Sequence, residues 1–276
     1  MLFLLIRRLI MISLFFIVGC SQSLKDVDVT SLGTIQDLRT GEKFTPNDFI
    51  HHIANKSHIL LGEQHDNLKH HQAQFWLLQQ LQQHRPQGSL LLEMLSVDQQ
   101  PQIAKVSQNL TAYTDNLPRA LNWDKRWRWD FYGETVGYAL AHKMALVATN
   151  LTQSEVTTLM QGAEPLQGNK STSPTIQKQI AELILQHHHC DCDVNDPMVQ
   201  KMVQVQQFRD RRMAEKIQQA KTPTLLIAGN HHINRQIGVV PHLQDLSPQT
   251  QVITILMGQA PQHITANEAD YFWILN

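Results

Sequence analysis

The chain has 276 residues, of which 42% are hydrophobic and 17% charged, with a formal net charge of -1. That supports one large domain with a sizeable core, and it excludes the basic field of a nucleic-acid binder. The unusual count is 15 histidines, since imidazole titrates near neutrality and ligates metals and haem iron, although many surface histidines carry no such role.

The chain opens "MLFLLIRRLIMISLFFIVGC", with Arg7 and Arg8 ahead of an apolar run from Leu9 to Val18. The run is short for a membrane span and has the flanks of a secretory signal. Ile17-Val18-Gly19-Cys20 resembles a bacterial lipobox, which implies removal of residues 1–19 and acylation (palmitate type) of Cys20. Several acyl chains together hold a protein on a bilayer. Ser21 at the next position, rather than Asp, implies the outer membrane of a Gram-negative cell. An uncleaved anchor helix is the plainer alternative. Residues 20–33 are small and polar and are expected to form a tether, leaving 34–276 as the folded domain.

Within the domain, "GTIQDLRTGEKFT" alternates around Thr40-Gly41 and predicts a small hairpin. Thr45-Pro46 opens a short helix over Asn47 to Ala54. Short apolar runs then recur: Ile59–Gly62, Leu90–Glu93, Met144–Thr149, Thr224–Gly229, Val252–Met257 and Tyr271–Leu275. Continuous rather than alternating runs suit parallel strands covered on both faces. Helical stretches lie between them: Leu68, His71, Phe75 and Leu78 share one stripe, and Asp196-Pro197 starts a long helix to Met213. The fold class is therefore α/β, a mostly parallel open sheet flanked by helices. "QGAEPLQGNKSTSPT" (Gln161–Thr175) reads as a loop between two halves of one domain.

Ligands in such sheets sit at the carboxyl ends of strands. There the sequence places Glu63, His65 and Asp66 after the first run, Glu93 at the end of the second, and His231, His232 and Arg235 after "LLIAGN". A carboxylate in an apolar strand is costly unless partnered. Glu63, His65, Glu93 and one of the two histidines, with His231 taken as the candidate, are therefore expected to converge. They would serve a hydrolase, with His65 as general base oriented by a carboxylate, or two histidines and a carboxylate would hold a metal. A buried polar network tying strand ends together is the plainer alternative. "HHHCDCD" offers His187, His189, Cys190 and Cys192 as a separate loop site for a transition metal. A disulfide between Cys190 and Cys192 is disfavoured, because near neighbours seldom meet its geometry.

Five segments in order carry a resemblance: "LLGEQHDNLKHHQAQFWLLQQL", "SLLLEML", "WRWDFYGETVGYALAHKMALVATNL", "QQFRDRRMAEKI" and "LLIAGNHHINRQIGVVPHL", with "ADYFWIL" near the end. Together they resemble the ChaN-like haem-binding lipoproteins, within a superfamily that includes erythromycin esterases and Tiki-type proteins. The resemblance implies a haem cofactor, bound face to face in a homodimer through a tyrosine ligand, for haem or iron uptake or storage. It also implies an outer-membrane haem transporter as partner. Of Tyr113, Tyr132, Tyr138 and Tyr271, Tyr132 lies in the strongest motif and is the expected iron ligand, with Tyr113 and Tyr138 as alternatives. Trp129, with Trp123 and Trp127, is expected to stack on the porphyrin. Arg126 and Arg128 are expected near its propionates, Arg209 and Asp210 are expected to point into the site region, and His65, His71, His231 and His232 are candidates for its opposite face.

Overall fold

The computed structural model describes residues 28–187 and 192–275, without the side chain of His187. The expected signal peptide, the lipobox with Cys20, and most of the tether lie outside the described residues. The last part of the expected tether does not stand free. Asp28 caps a 3-10 turn over Val29–Leu32, Leu32 is buried, and Trp273 Nε1 donates to the Leu32 carbonyl at 2.6 Å. An apolar side chain and a buried indole fasten residues 28–33 to the domain; their polar composition concealed this.

The first hairpin is β1 (Thr34–Asp37) and β2 (Lys43–Phe44), followed by α1 (Pro46–Ile53). Next come β3 (His58–Glu63), α2 (Leu68–His84), β4 (Ser89–Ser96), α3 (Gln100–Gln108), α4 (Leu117–Ala120) and α5 (Trp129–Ala141). The second half is β5 (Ala145–Asn150), α6 (Gln153–Gly162), α7 (Pro174–His187), α8 (Pro197–Gln219) and β6 (Thr224–Gly229). It closes with α9 (Asn230–Ile233), α10 (Val239–Leu246), β7 (Ile253–Gly258) and β8 (Tyr271–Ile274). The caps are those the sequence announces: Thr45 accepts from the Asp48 amide, and Asp196 from the Met198 amide at 2.8 Å.

All eight strands form one sheet in the order β2-β1-β8-β7-β3-β6-β4-β5. Strands β8 to β5 run parallel, while β1 pairs antiparallel with β2 and β8. Side chains alternate across a strand, so each apolar run feeds two cores. Ile59, Leu61, Leu90, Leu92, Leu225 and Ile227 face the layer of α1, α2 and α5. Leu60, Leu91, Leu226 and Ala228 face α8 and α10. Each such side chain contributes roughly 1.5–3 kcal/mol on burial, which is why the runs are unbroken. Among the described residues no helix is long and apolar enough to cross a membrane.

Candidate functional site

The sheet order sets the site. β6 lies between β3 and β4, and Glu63 at the end of β3 pairs in register with Gly229 at the end of β6. The β4–β5 register shifts between Leu92 and Ser96, an irregularity that spans Glu93. Such departures from the ladder re-aim side chains beside functional sites. Here it leaves Glu93 Oε2 accepting from the Gly229 amide at 2.8 Å. Glycine at 229 leaves room for the imidazole, because a Cβ there would lie 3.0 Å from His65 Nε2.

Two linked groups result. In the first, Glu63 is buried and accepts from the Tyr132 hydroxyl at 2.5 Å, from His65 Nδ1 at 2.7 Å, and from the Gln74 amide. Burial alone would push the Glu63 carboxyl up, but the bond from His65 and the neighbouring donors bring it below its ordinary value. In the second, His232 is buried between Glu93 Oε1, at 3.2 Å from Nε2, and Asp210 Oδ1, at 2.6 Å from Nδ1. Burial would lower its pKa, yet the two carboxylates raise it to about 10, so both ring nitrogens donate. The same contacts hold Glu93 far below the ordinary carboxylate range against its burial. Asp210, where burial wins, is raised to about 6.

His65 joins the groups. Its Nδ1 is on Glu63, its Nε2 lies 3.9 Å from Glu93 Oε2, and its ring meets Trp127 edge-on at 4.8 Å. The side chain is 38% exposed. Burial lowers its pKa, but Glu63 and Glu93 outweigh that and raise it. With Nδ1 committed to Glu63, Nε2 is the atom able to take a proton from, or give one to, a group above the sheet. A cleft of about 360 Å³ opens there, and Glu93, Arg126, Trp127 and Arg209 are among its lining residues.

The structure thus brings together Glu63, His65 and Glu93, as the sequence anticipates, but takes His232 rather than His231 into the cluster. His231 is exposed on α9, one residue away and turned outward. No group of three or more His, Cys, Asp or Glu among the described residues is disposed to hold a metal ion, so the two-histidine metal reading is not realised there. Of the loop-site candidates, His189, Cys190 and the His187 side chain lie outside the described residues, and Cys192 is disulfide-bonded, so its sulfur is not a thiolate ligand. Gln74 was missed as a partner; its only signal is helical phase.

Tyr132 also requires correction. It is 1% exposed, its pKa is pushed far up by burial and then by Glu63, and its hydroxyl is spent on that carboxylate. A phenol so placed orients Glu63 and is closed to a ligand outside. Trp129 stacks edge-on against Trp123 at 5.0 Å and covers Gly133, leaving Trp127 as the indole over His65. Arg126 and Arg209 both line the cleft.

The family model for haem-binding uptake proteins of the Tiki superfamily, ChaN, matches residues 49–243. The chain belongs to this ChaN haem-binding family. The solved structure described as cofacial haem binding to ChaN of Campylobacter jejuni is 31% identical, covering 88% of this chain and 96% of that one at a TM-score of 0.82. An erythromycin esterase mutant in its open conformation is 14% identical, with 82% and 76% covered and a TM-score of 0.48. No curated protein matches the chain.

The ChaN assignment can be set against the tyrosines present. A haem held through a phenolate needs a phenol oxygen within reach of the surface. Tyr132 is closed, and Tyr271, 7% exposed, places its hydroxyl 3.0 Å from His52 Nε2. Tyr113 and Tyr138 are half-buried and open to solvent. Tyr113 lines a cleft of about 330 Å³ with Arg119. Tyr138 stands on α5 with the exposed His142 ring stacked on it at 3.8 Å and Phe75 edge-on at 5.7 Å. Beside it, a Cβ at Gly137 would touch nothing within 4 Å, so the helix there presents a low, open surface. These residues fit a planar ligand with an oxygen donor.

Proposed function

We propose that this ChaN family member is a lipid-anchored outer-membrane protein that binds haem between two copies of itself, for haem or iron uptake or storage. The observation that carries the reading is the 31% identity to the Campylobacter jejuni ChaN across nearly all of that chain. The lipobox at Cys20 supports the anchor. Tyr138 is the ligand we assign, because the stacked His142 ring and the open backbone at Gly137 give it an aromatic neighbour and free space beside it. A phenolate oxygen there supplies a hard anionic ligand to ferric haem. Around it, Phe75 fixes the Tyr138 ring, and His142 covers its outer face. The test is a hemin titration followed by absorbance and light scattering. A saturating Soret band at one haem per chain, with the mass doubling, is expected; an unsaturable spectrum with no change in mass would dismiss the reading.

One observation favours a second function, hydrolysis at the strand ends: His65 Nδ1 is held by Glu63 while its side chain stays 38% exposed, beside Glu93 of the strand-end cleft. A general base needs to be both held and reachable in this way. Ester turnover that disappears in His65→Ala would support it. Absence of turnover across a broad ester panel would discard it and leave haem binding intact.

A further inference from the structure

We propose that the strand-end cleft is a second ligand site, separate from the haem face, which takes a small monocarboxylate with an apolar body, anchored by Arg209. The ligand is argued from the cleft alone, while its separation from the haem rests on the proposed Tyr138 assignment.

Arg209 is the reason. Arg126, Arg128, Arg211, Arg212 and Arg235 each meet a carboxylate: Asp124, Asp130, Asp245, Glu155 and Asp270 respectively. Arg209 lines the cleft, its Nε is buried, and that Nε has no hydrogen-bond partner among the described residues. A desolvated guanidinium donor left open is expensive unless an acceptor completes it. Its planar fork matches a carboxylate with two parallel bonds. The adjacent residue, Asp210, is turned inward onto His232, so α8 delivers one side chain to the buried triad and the next to the cleft.

The rest of the cleft defines the ligand. Trp127, Leu151 and Val156 provide an apolar wall, and the volume of about 360 Å³ suits a small molecule. Glu93 at its floor is compensated by His232 and the Gly229 amide, yet it still disfavours a dianion over a monoanion.

Position separates this site from the haem face. α5 begins beside the cluster, where Tyr132 reaches Glu63, and its C-terminal end leads directly into the start of β5. At 1.5 Å per residue, Tyr138 lies about 9 Å further along the axis, towards the opposite edge of the sheet.

The test titrates the full-length chain in detergent with benzoate, with the neutral isostere benzyl alcohol, and with inorganic phosphate. Saturable benzoate binding is expected, with the alcohol and phosphate at least about tenfold weaker. Arg209→Gln should weaken benzoate about tenfold or more, Arg209→Lys should recover part of it, and melting should stay as in the parent. Saturating hemin should leave benzoate affinity unchanged. Equal affinity for benzoate and benzyl alcohol, tighter phosphate binding, displacement by hemin, undiminished benzoate binding in the Gln variant, or no saturable binding would each overturn the proposal.

Discussion

Glu93, His232 and Asp210 form a buried row of alternating charge, and removing its middle member leaves two carboxylates facing each other in the interior. Breaking a buried pair in this way costs about 3–5 kcal/mol. His232→Gln should lower unfolding stability by that amount, measured by urea denaturation at pH 7. The pH dependence follows from the raised imidazole. Its folded pKa of about 10 exceeds the ordinary 6.5, so its contribution is complete below pH 6.5 and is lost as pH climbs towards 10. The denaturation midpoint should fall over that interval in the parent, and the decline should flatten in His232→Gln. An unchanged slope would show that the imidazole is not charged in the folded state. The choice of His232 over His231 was not legible beforehand. Both follow the same apolar run, and only the short helix α9 decides which one turns inward. The same holds for the tyrosines. Six residues on a helix rotate a side chain by about 240°, so Tyr132 and Tyr138 cannot share a face. "WDFYGETVGYALA" is too evenly apolar and small to reveal its phase.

The secondary-structure elements were far more legible. Strands buried on both faces need unbroken apolar runs, and the six runs locate β3 and β5 to β8 within a residue, while β4 continues three residues past its run. Their order in the sheet is another matter: β6 enters between β3 and β4, and nothing local announces that insertion. Of the segment Gln161–Thr175 read as a loop, residues 163–173 are irregular while its ends belong to α6 and α7, and its anchorage was hidden. Asp245 on α10 accepts from the amides of Asn169 (3.2 Å), Lys170 (2.8 Å) and Ser171 (3.0 Å), and from the Ser171 hydroxyl at 2.7 Å. Against its partial burial, these bonds bring its carboxyl below the ordinary value. Asp245→Ala should release the loop. Limited proteolysis should then cut within residues 163–173 several times faster than in the parent, while hemin spectra stay the same. Equal cleavage rates would mean that Arg211 and Gln207 hold the segment without Asp245.

Across the whole molecule, two features compete for the polar groups that the sequence assigns to one site. The carboxyl edge of the sheet gathers Glu63, His65, Glu93, Asp210 and His232 into a closed network with Arg209 beside it. The exposed flank of α5 carries Tyr138 and His142. On the proposed placement, a haem on that flank would leave the network undisturbed and its outer face free for a second copy. The comparison of two phenols tests this most directly. Hemin is titrated into the full-length chain, Tyr132→Phe and Tyr138→Phe, recording the phenolate-to-iron charge-transfer bands. The bands should persist in Tyr132→Phe, which also loses about 1–3 kcal/mol of stability for the unmade bond to Glu63, and vanish in Tyr138→Phe. Their loss in Tyr132→Phe, with retention in Tyr138→Phe, would contradict the account.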